Sequence, residues 1–428
     1  RQDGRIGVRN HLLVVPTVIC ASVVAERVAA AVAPIGTALP HTAGCGQLGP
    51  DMHTTHDTLA AYCGHPNVGA VLIIALGCEQ VVAQHLADAA RKADPELLLR
   101  LHGELVRGRR YNTQATALTK QGRLAVYPSS TGQEACEIAA ALALREQDWL
   151  FPSYRDTLAA VARGLDPVAA LTLLRGDWHT GYDPREHRIA PLCTPLATQL
   201  PHAVGLAHAA RLKGDDVVAL AMVGDGGTSE GDFHEALNFA AVWQAPVVFL
   251  VQNNGFAISV PLAKQTAAPS LAHKAVGYGM PGRLVDGNDA VAVHEVLSEA
   301  VERAREGGGP TLIEAVTYRM EAHTNADDAT RYRQDADVEA WQDHDPIVLL
   351  ERELTERDLL DEDRRRAVRE DAEAMAADLR ARMNQDPALD PMDLFTHVYA
   401  EQTSQLREQA ALLRAELEAE NEADGAGR

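Results

Sequence analysis

Cysteine is scarce. The 428 residues hold six, at positions 20, 45, 63, 78, 136 and 193, and no two are spaced as Cys-x-x-Cys. In a chain of this length that excludes a disulfide framework and fits the reduced thiols of a cytoplasmic protein. Basic charge is also short, with 39 Lys and Arg against 60 Asp and Glu, for a net charge of -21. Nucleic acid and anionic membrane surfaces are therefore not expected as partners, because both recruit basic patches. No run approaches the ~18 apolar residues of a membrane span, no signal-peptide pattern is present, and no repeat recurs at a solenoid period. What remains is ordinary: 46% hydrophobic and 23% charged residues, with length for two or three domains.

The texture changes twice along the chain. Over 1–95 short apolar runs alternate with Gly, Pro and His turns; "HLLVVPTVIC" (11–20) and "VGAVLIIALGC" (68–78) read as buried strands, and 21–33 and 78–93 as helices. The segment "DPELLLRLHGELVRGRRYNTQ" (94–114) is charged and helical, a junction. Strands and helices then alternate to about 330, the signature of a parallel sheet wrapped by helices. Beyond 346, "DEDRRRAVREDAEAMAADLRARM" (361–383) and "LREQAALLRAELEAENE" (406–422) are charged helices with thin apolar stripes, suited to solvated faces or to docking a partner chain. The reading is three units: a small α/β segment at 1–95, an α/β domain at 96–345 and a helical region at 346–428.

Chemistry concentrates in "VVALAMVGDGGTSEGDFHEALNFAAVWQAPVVFLVQNN" (217–254). A strand over 217–223 leads into Gly224–Gly227; a helix carrying Phe233, Leu237 and Ala241 follows; a second strand over 247–252 ends at Asn253 and Asn254. Glycine turns after an apolar strand ordinarily cradle phosphate with backbone N–H groups, which an acid such as Asp225 would repel. In a right-handed βαβ unit, however, both turns leave the same sheet edge, so Asp225 and Asn254 converge. Two oxygen side chains among glycines suit a hard divalent cation, and magnesium there would bridge the acid to a diphosphate. The alternative is a tight turn with a surface acid.

Gly-Asp-Gly, a spacer of 26 residues and Asn-Asn together resemble the thiamine diphosphate signature. The surrounding text resembles the α subunit of the decarboxylating component of 2-oxo acid dehydrogenases, from about 98 to the C-terminus. That resemblance takes in "YPSSTGQEA" (127–135), "FPSYRD" (151–156), "CTPLATQLPHAVGLAHAA" (193–210), "GYGMPGRLVDGND" (277–289) and "EAVTYRMEAHTNADDATRYR" (314–333). It implies a thiamine-diphosphate-binding fold, a mainly parallel sheet flanked by helices. By the same resemblance Asp225, Asn254 and the backbone carbonyl of Phe256 bind magnesium, although the family usually has Tyr where Phe256 stands. Gly226 and Gly227 line the diphosphate, and Tyr154 and Arg155 contact it, guanidinium being a planar fork for phosphate oxygens. Thr194 and Leu196 match cofactor contacts, Thr198 and Gln199 match a potassium site, and His323 matches the active-site histidine, a residue type that titrates near neutrality. Thr324 stands where mitochondrial relatives carry a phosphorylated Ser.

The implied activity is thiamine-dependent oxidative decarboxylation of a branched-chain 2-oxo acid or pyruvate, with the acyl unit passed to a lipoyl group. "TPLATQ" and Pro128 lean toward the branched-chain subfamily, whereas Gln252 replaces an Arg of its animal members. Acetoin cleavage on the same fold and a non-catalytic scaffold are the alternatives. The family activates the cofactor through a glutamate of a separate β subunit, and no second thiamine domain is recognisable here. An α2β2 assembly that serves a lipoyl acyltransferase component is therefore implied.

Separately, "RQDGRIGVRN" (1–10), "HTAGCGQLG" (41–49) and "HPNVGAVLIIALGCE" (65–79) resemble the metal-dependent altronate/galactarate dehydratases. Cys45, Cys78, His41 and Glu79 sit in or beside Gly-rich turns, as ligands for a metal or as small residues that fit tight turns. Only a fragment of that family is present, so dehydration is not expected.

Overall fold

The computed structural model describes residues 11–44, 49–63, 68–77, 81, 83, 86, 94–177, 179–386 and 390–426. Cys45, Cys78, Glu79 and most of the helix expected over 78–93 lie outside them. The first described unit is a three-stranded parallel sheet: β1 (His11–Pro16) lies between β2 (Gly36–Ala38) and β3 (Val68–Ile74). Helices α1 (Ser22–Ala31) and α2 (Gly49–Cys63) accompany it. Its apolar residues form their own clusters, Leu13, Val15, Leu59, Cys63, Val81 and Leu86 in one and Val14, Ala25 and Ala29 in another.

The main sheet is parallel throughout, in the order β4 (Trp149–Phe151), β5 (Ala219–Gly224), β6 (Val247–Asn253), β10 (Thr311–Val316), β9 (Gly282–Asp286). Its central strand β6 is buried at every position, which accounts for its unbroken apolar run. A two-stranded hairpin, β7 (Phe256–Ala257) with β8 (Val260–Pro261), follows β6. The alternation of strand side chains sorts the core into two layers. Leu220, Met222, Val248 and Leu250 pack with α4 (Glu134–Ala143) and α7 (Ala290–Arg305), through Cys136, Ala139, Val293, Leu297 and Val301. Ala219, Ala221, Val223, Phe249 and Val251 face α5 (Gln199–Lys213) and α6 (Gly231–Trp243), through Leu200, Val204, Phe233 and Leu237. The α/β class, with a parallel sheet flanked by helices, is as the sequence implies.

The segment read as helical is a 26-residue helix, α3 (Pro95–Lys120), whose Leu98, Leu101, Leu105, Tyr111, Ala115 and Leu118 are buried. They join Leu350 and Leu354 of α8 (Pro346–Glu356) and Leu379 and Met383 of α9 (Glu362–Met383) in one cluster. The thin stripe of α9 therefore packs inward on its own chain, and Arg110 secures it through Glu373 at 2.6 and 3.0 Å. The last helix, α10 (Ser404–Ala426), leaves Leu412 exposed. Among the described residues no helix is long and apolar enough to cross a membrane.

Candidate active site

Four neighbouring strands deliver the chemistry-bearing residues at one edge. Tyr154 and Arg155 follow β4, Asp225–Gly227 follow β5, Asn254 and Phe256 follow β6, and His323 lies beyond β10. This carboxyl edge is where open parallel α/β sheets bind ligands. The register sets Gly224 opposite Gln252, so the acid turn and the double asparagine leave adjacent strands side by side. The loop that precedes α5 is tied to the same edge, Tyr154 N–H donating to the Cys193 carbonyl at 3.0 Å.

Asp225 is 1% exposed and begins a tight helical turn. Gln265 Nε2 donates to its Oδ2 at 2.7 Å, and Arg319 is the cationic side chain whose charge attracts it. Burial pushes its carboxyl above the usual range, with the Gln265 hydrogen bond opposing. A Cβ on Gly226 would come within 2.7 Å of Ala257 Cβ, and one on Gly227 within 2.4 Å of Val223 Cγ2, so packing already requires both glycines. Lys274 Nζ braces the turn from outside, donating to the Thr228 carbonyl at 2.8 Å. Asn253 Nδ2 donates to buried Glu314 on β10 at 2.7 Å. Asn254 turns its Nδ2 inward to Gln133 Oε1 at 2.9 Å, while its Oδ1 accepts from Phe256 N–H at 3.2 Å. The Phe256 ring packs between Tyr318 and Tyr332, with centroids at 6.2 and 5.7 Å, a place that asks for no hydroxyl.

These donors fit magnesium. All are oxygens, and among the described residues no three of His, Cys, Asp and Glu gather. A cation at this edge would complete its shell from carbonyls, water and an anionic ligand, as magnesium habitually does.

Beside the acid turn stands a cationic wall. Buried Arg155 donates through Nη1 to the Ser129 carbonyl at 2.7 Å and through Nη2 to His323 Nδ1 at 3.0 Å. Arg319, 1% exposed, lies 3.4 Å from the same Nδ1 and donates to Tyr332 Oη and the Ile258 carbonyl, each at 2.8 Å. Asp327 accepts from His323 N–H at 2.7 Å and holds the loop in place. Burial, then Arg155 and Arg319, lower the His323 pKa to about 4. The ring is therefore neutral near pH 7, below the near-neutral titration expected of its residue type. Guanidinium can only donate, so Nδ1 accepts and Nε2 carries the proton. Tyr154 stacks edge-on to this ring at 6.0 Å.

Thr194 and Leu196 are exposed on the loop before α5. Thr198 Oγ1 donates to Asp232 Oδ2 at 3.2 Å, and buried Gln199 donates to the Met222 carbonyl at 2.6 Å while its Oε1 has no hydrogen-bond partner among the described residues.

Three groups at this edge escape a reading of motifs: the Gln265 clamp on Asp225, the Gln133–Gln252 pair behind Asn254, and Ile258. Gln133 and Gln252 did lie inside quoted motifs, and Gln252 stood out as a replacement of Arg, but their pairing shows only in the fold. Ile258 is a β-branched residue at φ 56°, 54% exposed at the site. Such strain persists where its surroundings impose it, often at ligand clamps. In the N-terminal unit His41 is spent internally, its Nε2 lying 2.8 Å from the Pro16 carbonyl and its Nδ1 accepting from Ala43 N–H.

The chain is similar to known proteins of two families. Residues 105–392 match the family model described as dehydrogenase E1 component, and residues 1–125 match that of D-galactarate dehydratase/altronate hydrolase, second domain. The 3-methyl-2-oxobutanoate dehydrogenase subunit alpha of Mycobacterium tuberculosis is 48% identical over 324 residues, 76% of this chain and 88% of that protein. The pyruvate dehydrogenase E1 component subunit alpha of Staphylococcus aureus is 41% identical over 280 residues, 65% of this chain and 76% of that one. An acid turn, a double asparagine and a cationic wall on one parallel-sheet edge, within that span of likeness, place the chain in the dehydrogenase E1 component family, as an oxidoreductase of the 2-oxo acid dehydrogenase α-subunit type.

Proposed function

We propose that the chain is the α subunit of a branched-chain 2-oxo acid dehydrogenase, with 3-methyl-2-oxobutanoate as its first candidate substrate and pyruvate as the second. The observation that carries the reading is the convergence of Arg155, Asp225, Asn254 and His323 on the carboxyl ends of four adjacent strands. The 48% identity to the mycobacterial subunit supports the branched-chain choice.

When bound, thiamine diphosphate supplies a thiazolium that accepts the electrons released as carbon dioxide leaves a 2-oxo acid. Asp225, Asn254 and the Phe256 carbonyl would hold its magnesium; Tyr154, Arg155, Gly226 and Gly227 its diphosphate; Thr194 and Leu196 the rest of the molecule. A neutral His323 presents Nε2–H as a hydrogen-bond donor, while Nδ1 stays engaged with Arg155. The buried Oε1 of Gln199, without a hydrogen-bond partner among the described residues and next to Thr198, supports a potassium ion there. The β subunit completes the site in an α2β2 assembly, and the acyl unit passes to the lipoyl group of an acyltransferase component. Residues 1–95, 96–345 and 346–428 are taken as the working units, the first without dehydratase activity, and the setting as cytoplasmic.

The test is reduction of an artificial electron acceptor by the chain assembled with its β subunit, thiamine diphosphate and magnesium. 3-Methyl-2-oxobutanoate should give the higher kcat/KM, ahead of pyruvate. Acetoin as the only active substrate, or no activity with any, would refute the proposal.

A further inference from the structure

A line of buried side chains runs from the Tyr154–Arg155 loop to Asn254. Ser153 donates to Asp156 Oδ2 twice, from its N–H at 2.7 Å and its hydroxyl at 2.6 Å. Gln252 Nε2 donates to Asp156 Oδ1 at 2.6 Å, and Gln133 Nε2 to Gln252 Oε1 at 3.1 Å. Asn254 Nδ2 then donates to Gln133 Oε1 at 2.9 Å. Asp156, Gln133, Gln252 and Asn254 are each at most 5% exposed.

The direction of this line follows from chemistry. A carboxylate only accepts, so the Gln252 amide must turn its NH2 to Asp156 and its oxygen to Gln133. Gln133 must then turn its own NH2 to Gln252 and its oxygen to Asn254. Asn254 in turn must point its NH2 inward, which leaves its oxygen on the opposite side of the amide. The hydrogen bonds that Asp156 accepts at both oxygens thus set the orientation of three amides, each of which in isolation could sit either way round.

We propose that Asp156, Gln252 and Gln133 are positioning residues whose task is to present the oxygen, and not the nitrogen, of Asn254 to the cation. The Phe256 N–H supports the same orientation from the other side but leaves Asn254 Oδ1 a second lone pair. The inference rests on Asn254 as a magnesium ligand. Outer partners of this kind govern metal affinity by about 10- to 100-fold.

The test is magnesium binding, measured by calorimetry at saturating thiamine diphosphate on the full chain with its β subunit. The variants are Gln133→Met and, one hydrogen bond further from the ligand, Gln252→Met, each alone and combined with Asn254→Asp. Melting without ligands records whether each variant folds. Each Met variant should weaken magnesium binding about tenfold or more. A carboxylate has oxygen at both ends, so in the Asn254→Asp background the same changes should cost less than about twofold. Unchanged affinity in both single variants, or equal losses in both backgrounds, would overturn the relay. Asn254→Ala that binds magnesium normally would overturn the underlying metal assignment instead.

Discussion

His323 lies between two guanidinium groups, and its protonation must follow from that. The folded pKa of about 4 lies below the ordinary 6.5, so between these values the unfolded chain binds the extra proton and the native chain does not. The stability this group contributes is present above pH 6.5 and is lost as pH falls through that window. In the cofactor-free chain, NMR of labelled histidine should show His323 uncharged, with the proton on Nε2, down to about pH 4. Titration near 6.5 would mean that Arg155 and Arg319 do not crowd it as described. Residues of this kind were only half legible in the sequence. "EAHTNADDATRYR" singled out His323 by resemblance, but its charge state depends on Arg155, 168 positions away, and on burial that no local pattern encodes.

At the level of elements, the strongly patterned segments were readable. The turn after β5, the helix α6 and the double asparagine after β6 lie where the apolar runs and glycines put them, because a central parallel strand must be apolar on both faces. Helix α3 was legible as a helix, but the partners of its apolar stripe were not. Its buried residues are spread among six charged ones between Glu96 and Arg110, and no local pattern says that the stripe meets α8 and α9. A usable cue was present in Asp94–Pro95, a helix-starting pair repeated at Asp166–Pro167, Asp183–Pro184 and Asp345–Pro346. The packing of α9 on α3 makes a measurable claim. Leu379→Ala should lower unfolding stability by about 2–4 kcal/mol, whereas Leu412→Ala, on the exposed surface of α10, should change it by less than about 0.5 kcal/mol. Equal effects in chemical denaturation would contradict the packing.

For the whole molecule, the same sheet edge gathers a buried acid, oriented amide oxygens and a wall of cations. The proposal that a metal lies between this acid and a phosphate bound at the same turn is the central claim. The N-terminal unit, with its own small core, contributes no residue to this edge among those described. The most direct measurement is calorimetric binding of thiamine diphosphate to the chain with its β subunit, with and without magnesium, compared for the unmutated chain and Asp225→Ala. Binding should require magnesium and fall by at least about 100-fold in Asp225→Ala, the loss expected when an anionic ligand of the metal is removed. Binding that is independent of magnesium, or equal in the two proteins, would contradict the account.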